Sequence, residues 1–340
     1  MKKEKYNVAV VGATGAVGEQ MREVLEERLF PTDGLHLLAS ERSAGQLLEF
    51  RNQKVRVEVL DEYSFENVDL ALFSAGGAVS AKFVPLAVDQ GAVVIDNTAH
   101  FRMEAEIPLV VPEVNPQEIA QYTNRGIIAN PNCSTIQMVA ALKPIHDAAR
   151  LRRVVVSSYQ SVSGAGRLGM EELSQQSIAL FNGEEPKKEK FLHQIAFNCI
   201  PHIDSFLDNG YTKEEIKMVN ETRKILGDPA IGVTATAVRV PVFCGHSESI
   251  NIETEKKLSA DDVRDILRGA PGILLCDDPG ENLYPMATDV VGKDATLVGR
   301  IREDESIANG INLWVVADNL RKGAALNAAQ IAEILIMDYL

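Results

Sequence analysis

Cysteine is scarce in this chain of 340 residues: Cys133, Cys199, Cys244 and Cys276 lie far apart, with no CxxC pair among them. That spacing excludes the disulfide framework of a small secreted domain. It offers no zinc ligand set either, since Cys244-Gly245-His246 has no second ligand pair nearby. No apolar run reaches the ~18 residues that a membrane-spanning helix needs. Basic residues are outnumbered, 34 Lys and Arg against 48 Asp and Glu for a net charge of −14. A nucleic-acid partner held by a global basic footprint is thereby excluded. Repeats and low-complexity tracts are missing, and 46% apolar with 24% charged residues is ordinary globular composition. The opening Met1-Lys2-Lys3-Glu4-Lys5-Tyr6 carries no apolar signal segment. The expectation is a soluble, unprocessed, cytoplasmic protein with no membrane partner. At about 150 residues per domain, the length is that of two domains.

What the chain does have begins at Asn7. The apolar, β-branched run Asn7-Val8-Ala9-Val10-Val11 ends at Gly12-Ala13-Thr14-Gly15-Ala16-Val17-Gly18. Val17, Met21, Val24, Leu25 and Leu29 then recur at helical spacing. Strand, glycine turn and helix in that order open a βαβ unit. Further strands are predicted over 35–39, 70–74 and 93–96, with a helix near 80–90. Apolar runs without alternation, separated by helices, predict a parallel sheet covered on both faces. Residues 1–130 therefore read as a doubly wound, Rossmann-type nucleotide domain of the α/β class. Longer strands are predicted beyond it, over 154–163, 231–240 and 250–255. In the second of these, Val233, Ala235, Ala237 and Arg239 share one face. Strand-rich sequence with separate helices predicts an α+β second domain over 131–318 with a mixed sheet. The charged stretch from Glu184 to Lys190 reads as a solvated loop. Residues 324–337 read as an amphipathic helix, part of a tail over 319–340 that returns to the first domain.

The glycines are spaced GxxGxxG instead of the commoner GxGxxG. The turn still aims helix N-terminal N–H groups at a pyrophosphate, through Gly12, Thr14, Gly15, Ala16 and Val17. At the end of the second strand, Ser40, Arg42 and Ser43 suit the 2′-phosphate of NADP(H), whereas Glu41 is the residue type that reads NAD. The hydroxyls and the guanidinium tip the reading to NADP(H).

Asn130-Pro131-Asn132-Cys133-Ser134-Thr135-Ile136 precedes a helical pattern that Pro144 kinks or ends. Cys133 thus lies at a helix N-terminus, where the helix dipole favours a thiolate able to attack an acyl carbon. A small buried cysteine in a helix cap has the same pattern, and the residues alone leave both readings open.

Several stretches then carry a resemblance: the glycine turn, Ala39-Ser-Glu-Arg-Ser-Ala-Gly45, Pro131-Asn-Cys-Ser-Thr135, Glu214-Glu-Ile-Lys217, Arg239-Val-Pro-Val-Phe-Cys-Gly-His246 and Asp318-Asn-Leu-Arg-Lys-Gly-Ala-Ala325. Together they span the chain, which resembles the bacterial branch of the aspartate-β-semialdehyde dehydrogenases. The resemblance implies a homodimeric NADP-dependent phosphorylating aldehyde dehydrogenase of lysine, threonine and methionine biosynthesis, its second domain serving catalysis and dimerisation. It implies Cys133 as nucleophile, His246 as acid/base and Gln160 as orienting residue. Arg239 would grip the substrate carboxylate, Glu214 its amine, and Arg102 and Lys217 its phosphate. Ser163 and Gly164 would face the nicotinamide end of the cofactor, and Asn319 would make a late cofactor contact. Read from its place beside the nucleophile, Asn132 suits the positioning of the acyl oxygen. On residue types alone, an internal ion pair is the lesser alternative for Arg239, whereas a solvated helix pair is the usual reading of Glu214 and Lys217, and a surface arginine that of Arg102. Two rival functions stand beside this one. An N-acetyl-γ-glutamyl-phosphate reductase, or another phosphate-dependent aldehyde dehydrogenase, shares the thioester chemistry. A non-catalytic nucleotide-binding protein is more remote, since it has no need of Cys133, Gln160, Arg239 and His246 together.

Overall fold

A computed structural model describes residues 3–340; Met1 and Lys2, part of the N-terminal stretch read above, lie outside the described residues. The chain divides into two compact units, one of residues 1–132 with 324–340 and one of residues 133–323.

The first unit is a seven-stranded sheet with helices. In chain order it holds β1 (Tyr6–Val11), α1 (Ala16–Glu27), β2 (Thr32–Ala39), β3 (Leu47–Phe50), β4 (Gln53–Val59), β5 (Leu70–Phe73), α2 (Gly77–Asp89), β6 (Val93–Asp96) and β7 (Ile127–Ala129). The strand order is β3-β4-β2-β1-β5-β6-β7. All neighbours pair in parallel except β3 and β4. The order turns back at β1, and that reversal is the switch point beside which doubly wound sheets bind ligands. The β3–β4 hairpin is absent from the sequence reading. Its turn residues, Arg51 and Asn52, both take positive φ (50° and 62°), a conformation that an Asn-Gly pair would have signalled and Arg-Asn does not.

The second unit opens with α3 (Cys133–Ala149), followed by β8 (Leu151–Gln160), α4 (Arg167–Phe181), α5 (Lys213–Leu226), β9 (Gly232–Arg239), β10 (His246–Thr254), α6 (Ala260–Arg268), β11 (Ile273–Leu275), β12 (Thr296–Asp304) and β13 (Gly310–Ala317). Its six-stranded sheet runs β11-β12-β13-β10-β8-β9. It is mixed: β8 with β9 and β11 with β12 are parallel, the remaining pairs antiparallel. Alternate residues of β10 (His246, Glu248, Ile250, Ile252) are fully buried, and α3 packs against this strand. Helix α3 runs through Pro144 without ending there. A proline costs a helix the N–H bond to residue i−4, and Pro144 lies only five residues from the end of α3.

The last helix, α7 (Leu326–Asp338), belongs to the first unit. It is not the amphipathic helix expected. Leu326, Ala328, Ala329, Ile331, Ala332, Leu335 and Ile336 are all buried, in one core with β1, α1 and β2. Its small residues let neighbours close on several sides, and only its last turn is exposed. Each large apolar side chain so buried stabilises the fold by about 1.5–3 kcal/mol. Among the described residues no helix is long and apolar enough to cross a membrane.

Candidate active site

In the first unit the glycine turn is built to be bare. Gly12 has φ +88°, and a Cβ there would lie 3.0 Å from the backbone of Ser74. A Cβ on Gly18 would meet the Gly12 carbonyl and lie 2.8 Å from the Ala13 Cα. Helix α1 begins at Ala16 with Gly15 as N-cap and no side chain closing its end, so its first N–H groups stay available to an anion. The Thr14 hydroxyl donates to Ser43 Oγ at 3.2 Å, bringing the glycine turn against the single turn Glu41–Ser43. Ser40 and Arg42 there are exposed. A turn kept close by its glycines, an open helix end and an exposed guanidinium with serines on either side in sequence fit a dinucleotide with a 2′-phosphate.

Arg102 is not the surface arginine its residue type alone allows. It is buried, donating from Nε to the Asn130 carbonyl at 2.9 Å and from Nη2 to the Asn97 carbonyl at 2.8 Å. Asn132, also buried, closes the first stretch of the same unit.

The second unit assembles the other predicted residues. Cys133 is the first residue of α3 and is half-buried. His246, first residue of β10, is fully buried. Its Nδ1 receives the Ser161 backbone N–H at 3.1 Å and lies 3.0 Å from Ser161 Oγ. A backbone N–H can only donate, so Nδ1 is the acceptor and the neutral ring carries its proton on Nε2. That Nε2 has no partner. Burial first, and the Arg239 guanidinium second, hold the imidazole well below its usual pKa of 6.5. Asn319 fixes this arrangement from behind: its Oδ1 accepts from Ser161 Oγ, Ser163 Oγ and Gly245 N at 3.0–3.1 Å.

Arg239 ends β9, buried, on the face shared with Ala235 and Ala237. Its Nη1 donates to the Ser161 carbonyl at 2.6 Å. Burial lowers its pKa, while Glu214 and Cys133 act in the opposite sense. Gly164 is the close approach that lets these groups meet. A Cβ there would lie 2.8 Å from Arg239 Nη1 and 3.2 Å from His246 Nε2.

Helix α5 positions the third group. Thr212 and Glu215 form a capping box, and Glu215 Oε1 also accepts the Ala237 N–H at 2.9 Å, tying the start of α5 to β9. Glu214 is therefore buried on the strand side. It accepts from Gln160 Nε2 at 3.2 Å and from Lys217 Nζ at 3.2 Å. Lys217 also reaches Asp204 at 2.8 Å. Burial opposes its charge, yet Glu214 and Asp204 outweigh that and raise its pKa. The pair is not the solvated one that its i,i+3 spacing alone allowed.

A cavity of about 290 Å³ is lined by Arg239, Asp204, His202, Lys190 and Ala165. A larger one, about 530 Å³, lies on the opposite sheet face beside Ser247, Ser249 and Trp314, and none of the predicted residues lines it. Ser161 and Asp204 are the site residues that the sequence reading missed. Ser161 was within reach, since it follows Gln160 at the end of a predicted strand. Asp204, in an irregular loop, left no pattern to find. Burial raises the pKa of Cys244 and Cys276, which disfavours a thiolate at either. No group of three His, Cys, Asp or Glu among the described residues could hold a metal ion.

Two family models match: the semialdehyde dehydrogenase NAD-binding domain over residues 7–122 and the semialdehyde dehydrogenase dimerisation domain over 142–322. The chain belongs to the semialdehyde dehydrogenase family. Among members of this family, aspartate-semialdehyde dehydrogenase 2 of Vibrio cholerae is 57% identical over 336 residues, 99% of each chain. The crystal structure of aspartate semialdehyde dehydrogenase II from the same organism, complexed with ASA, superposes with a TM-score of 0.97 at 57% identity. It covers 99% of this chain and 100% of that one. The aspartate semialdehyde dehydrogenase of Candida albicans, solved with NADP, is 26% identical with a TM-score of 0.76, covering 97% of this chain and 98% of that one. The semialdehyde dehydrogenase fold is thus shared across its whole length.

Proposed function

We propose that this protein is an NADP-dependent aspartate-semialdehyde dehydrogenase, converting L-aspartyl-4-phosphate to L-aspartate-4-semialdehyde and phosphate, reversibly, as a homodimer in the cytoplasm. The observation that carries the reading is the buried His246, its partnerless Nε2 beside the Arg239 guanidinium, in the unit that begins with Cys133 at a helix N-terminus.

The helix end and Arg239 stabilise a Cys133 thiolate, so its attack on the acyl carbon needs no base. As the C–S bond forms and the acyl C–O bond breaks, phosphate leaves and a thioester remains on Cys133. Arg102 and Lys217 are assigned the phosphate. Gly12, Thr14, Gly15, Ala16, Val17, Ser40, Arg42 and Ser43 would hold NADP(H), which would supply or take back a hydride at the thioester carbon. His246 Nε2–H is assigned as donor to the oxygen that becomes negative at each tetrahedral stage, and Asn132 is assigned the same oxygen. Collapse of the thiohemiacetal releases the aldehyde and returns the thiolate. The proton taken from water ends on the departing phosphate. Ser163 and Gly164 are assigned the nicotinamide end, and Asn319 a further cofactor contact.

Arg239 suits the α-carboxylate as a planar fork. Glu214 is assigned the α-ammonium, and this favours an aspartyl substrate over an N-acetylated one, whose amide bears no positive charge to meet a buried carboxylate. Purified protein with aspartate semialdehyde, phosphate and NADP⁺ is expected to reduce the nicotinamide only when phosphate is present. Silence with this aldehyde but turnover of N-acetylglutamate semialdehyde would overturn the substrate. Silence with both would overturn the enzyme. In the same assay Arg42→Ala is expected to raise the KM for NADP⁺ about tenfold while leaving that for NAD⁺ unchanged, the effect of one lost charge-assisted pair.

A further inference from the structure

Glu248 has no role in the chemistry above, yet it is fully buried in the sheet of the second unit, two residues along β10 from His246. Neither carboxyl oxygen has a partner, and the same is true of Oε1 of Gln137, also fully buried. Gln137 lies on α3, four residues after Cys133 and so on the same face of the helix. Its Nε2 donates to the His246 carbonyl at 3.4 Å, and its side chain faces the Glu248 carboxyl. The strand neighbours of Glu248 are Ser158 and Val315, which carry no charge.

One proton resolves all three orphans. A neutral carboxylic acid and a primary amide form a reciprocal pair, acid O–H to amide oxygen and amide N–H to acid oxygen. The second amide hydrogen stays on the His246 carbonyl. We propose that Glu248 is a positioning residue held as the protonated acid, paired with Gln137 so that α3, which carries Cys133, is locked in register with β10, which carries His246. Burial pushes the carboxyl well above its usual range and outweighs Gln137, which acts in the opposite sense, so the net direction is the one a protonated acid requires. An ionised Glu248 would leave a charge with no cation beside it, at far greater cost than protonation. The role rests on the reading of Cys133 and His246 as the reacting pair, because the lock matters only if their separation does.

The test uses readouts that need no substrate as well as one that does. The wild-type protein at pH 7 is expected to show the infrared C=O band of a protonated carboxylic acid, absent in E248Q. E248L and Q137L are each expected to lower kcat about tenfold with KM little changed, and to slow iodoacetamide alkylation of Cys133 by a similar factor. E248Q, which keeps a neutral reciprocal pair, is expected to retain most of both. Should E248L fail to fold, Q137L carries the same comparison. A missing band at pH 7 overturns the proposal, as does an E248Q as impaired as E248L. Leucine variants that lower only the melting temperature overturn it too. The band and the alkylation rates report on the lock even if aspartate semialdehyde is not turned over, which separates its failure from that of the substrate reading.

Discussion

Cys133→Ala is expected to lower kcat by at least about 10⁴-fold in either direction, the scale on which a covalent nucleophile is lost, while NADP⁺ still binds. The two halves of that outcome have different physical origins. Without sulfur there is no thioester, and the hydride has no acyl carbon held in place to reach. The nucleotide, by contrast, is assigned to the glycine turn, the open helix end and Arg42, all in the unit of residues 1–132 and 324–340. Isothermal titration with NADP⁺ and a phosphate-dependent assay on one preparation check both. Lost binding together with lost activity would mean that the substitution disturbs the start of α3 instead of removing a nucleophile. A methyl group in place of the thiol gives little reason for this, since Cys133 is only half-buried and alanine is the best helix former. Residual activity above about one per cent of wild type would leave no room for an obligatory thioester.

How much of this site was legible beforehand depended on the reach of each interaction along the chain. The glycine turn, the thiol at a helix start and the arginine on a face of small residues are local patterns, and each predicted element was found. Burial was less legible, because it is decided by contacts far apart in sequence. Arg102 is satisfied by carbonyls at 97 and 130, and Lys217 by a carboxylate at 204, so neither environment follows from its neighbours. The same limit hid the character of α7. Its alanines read as one stripe of a half-exposed helix, whereas small side chains let other elements pack on several sides. The tautomer of His246 was least accessible, since it depends on the direction of one backbone N–H, that of Ser161.

That tautomer leads to the second large effect. His246→Ala is expected to lower kcat about 10²–10³-fold, as removal of one oxyanion donor does. His246→Gln, which can still present an N–H, is expected to lose markedly less. A general base would not give this order, because glutamine cannot accept and return a proton. The pH dependence carries the same distinction. Burial and Arg239 both lower the folded-state pKa, so the ring is neutral above that value. Protonation below it leaves the Nε2–H donor in place but takes up the Nδ1 lone pair that accepts the Ser161 N–H, so what is lost as pH falls is the anchoring of the ring. The kcat profile of the wild type should therefore show no inflection from His246 near 6.5. Replacing Arg239 by methionine removes the nearby positive charge and should move the acid limb upward, toward but not reaching 6.5, since burial remains. Stability follows the same sign. With the folded pKa below the unfolded one, this histidine's contribution is complete above about pH 6.5 and is withdrawn as pH falls. Glu248 is opposite, its raised folded pKa making its contribution greatest in acid and smaller as pH rises. Nitrogen-15 spectra of the histidine ring across pH 5 to 8 read the tautomer directly. A proton found on Nδ1 at neutral pH would return His246 to the role of base and reverse the expected order of the two variants.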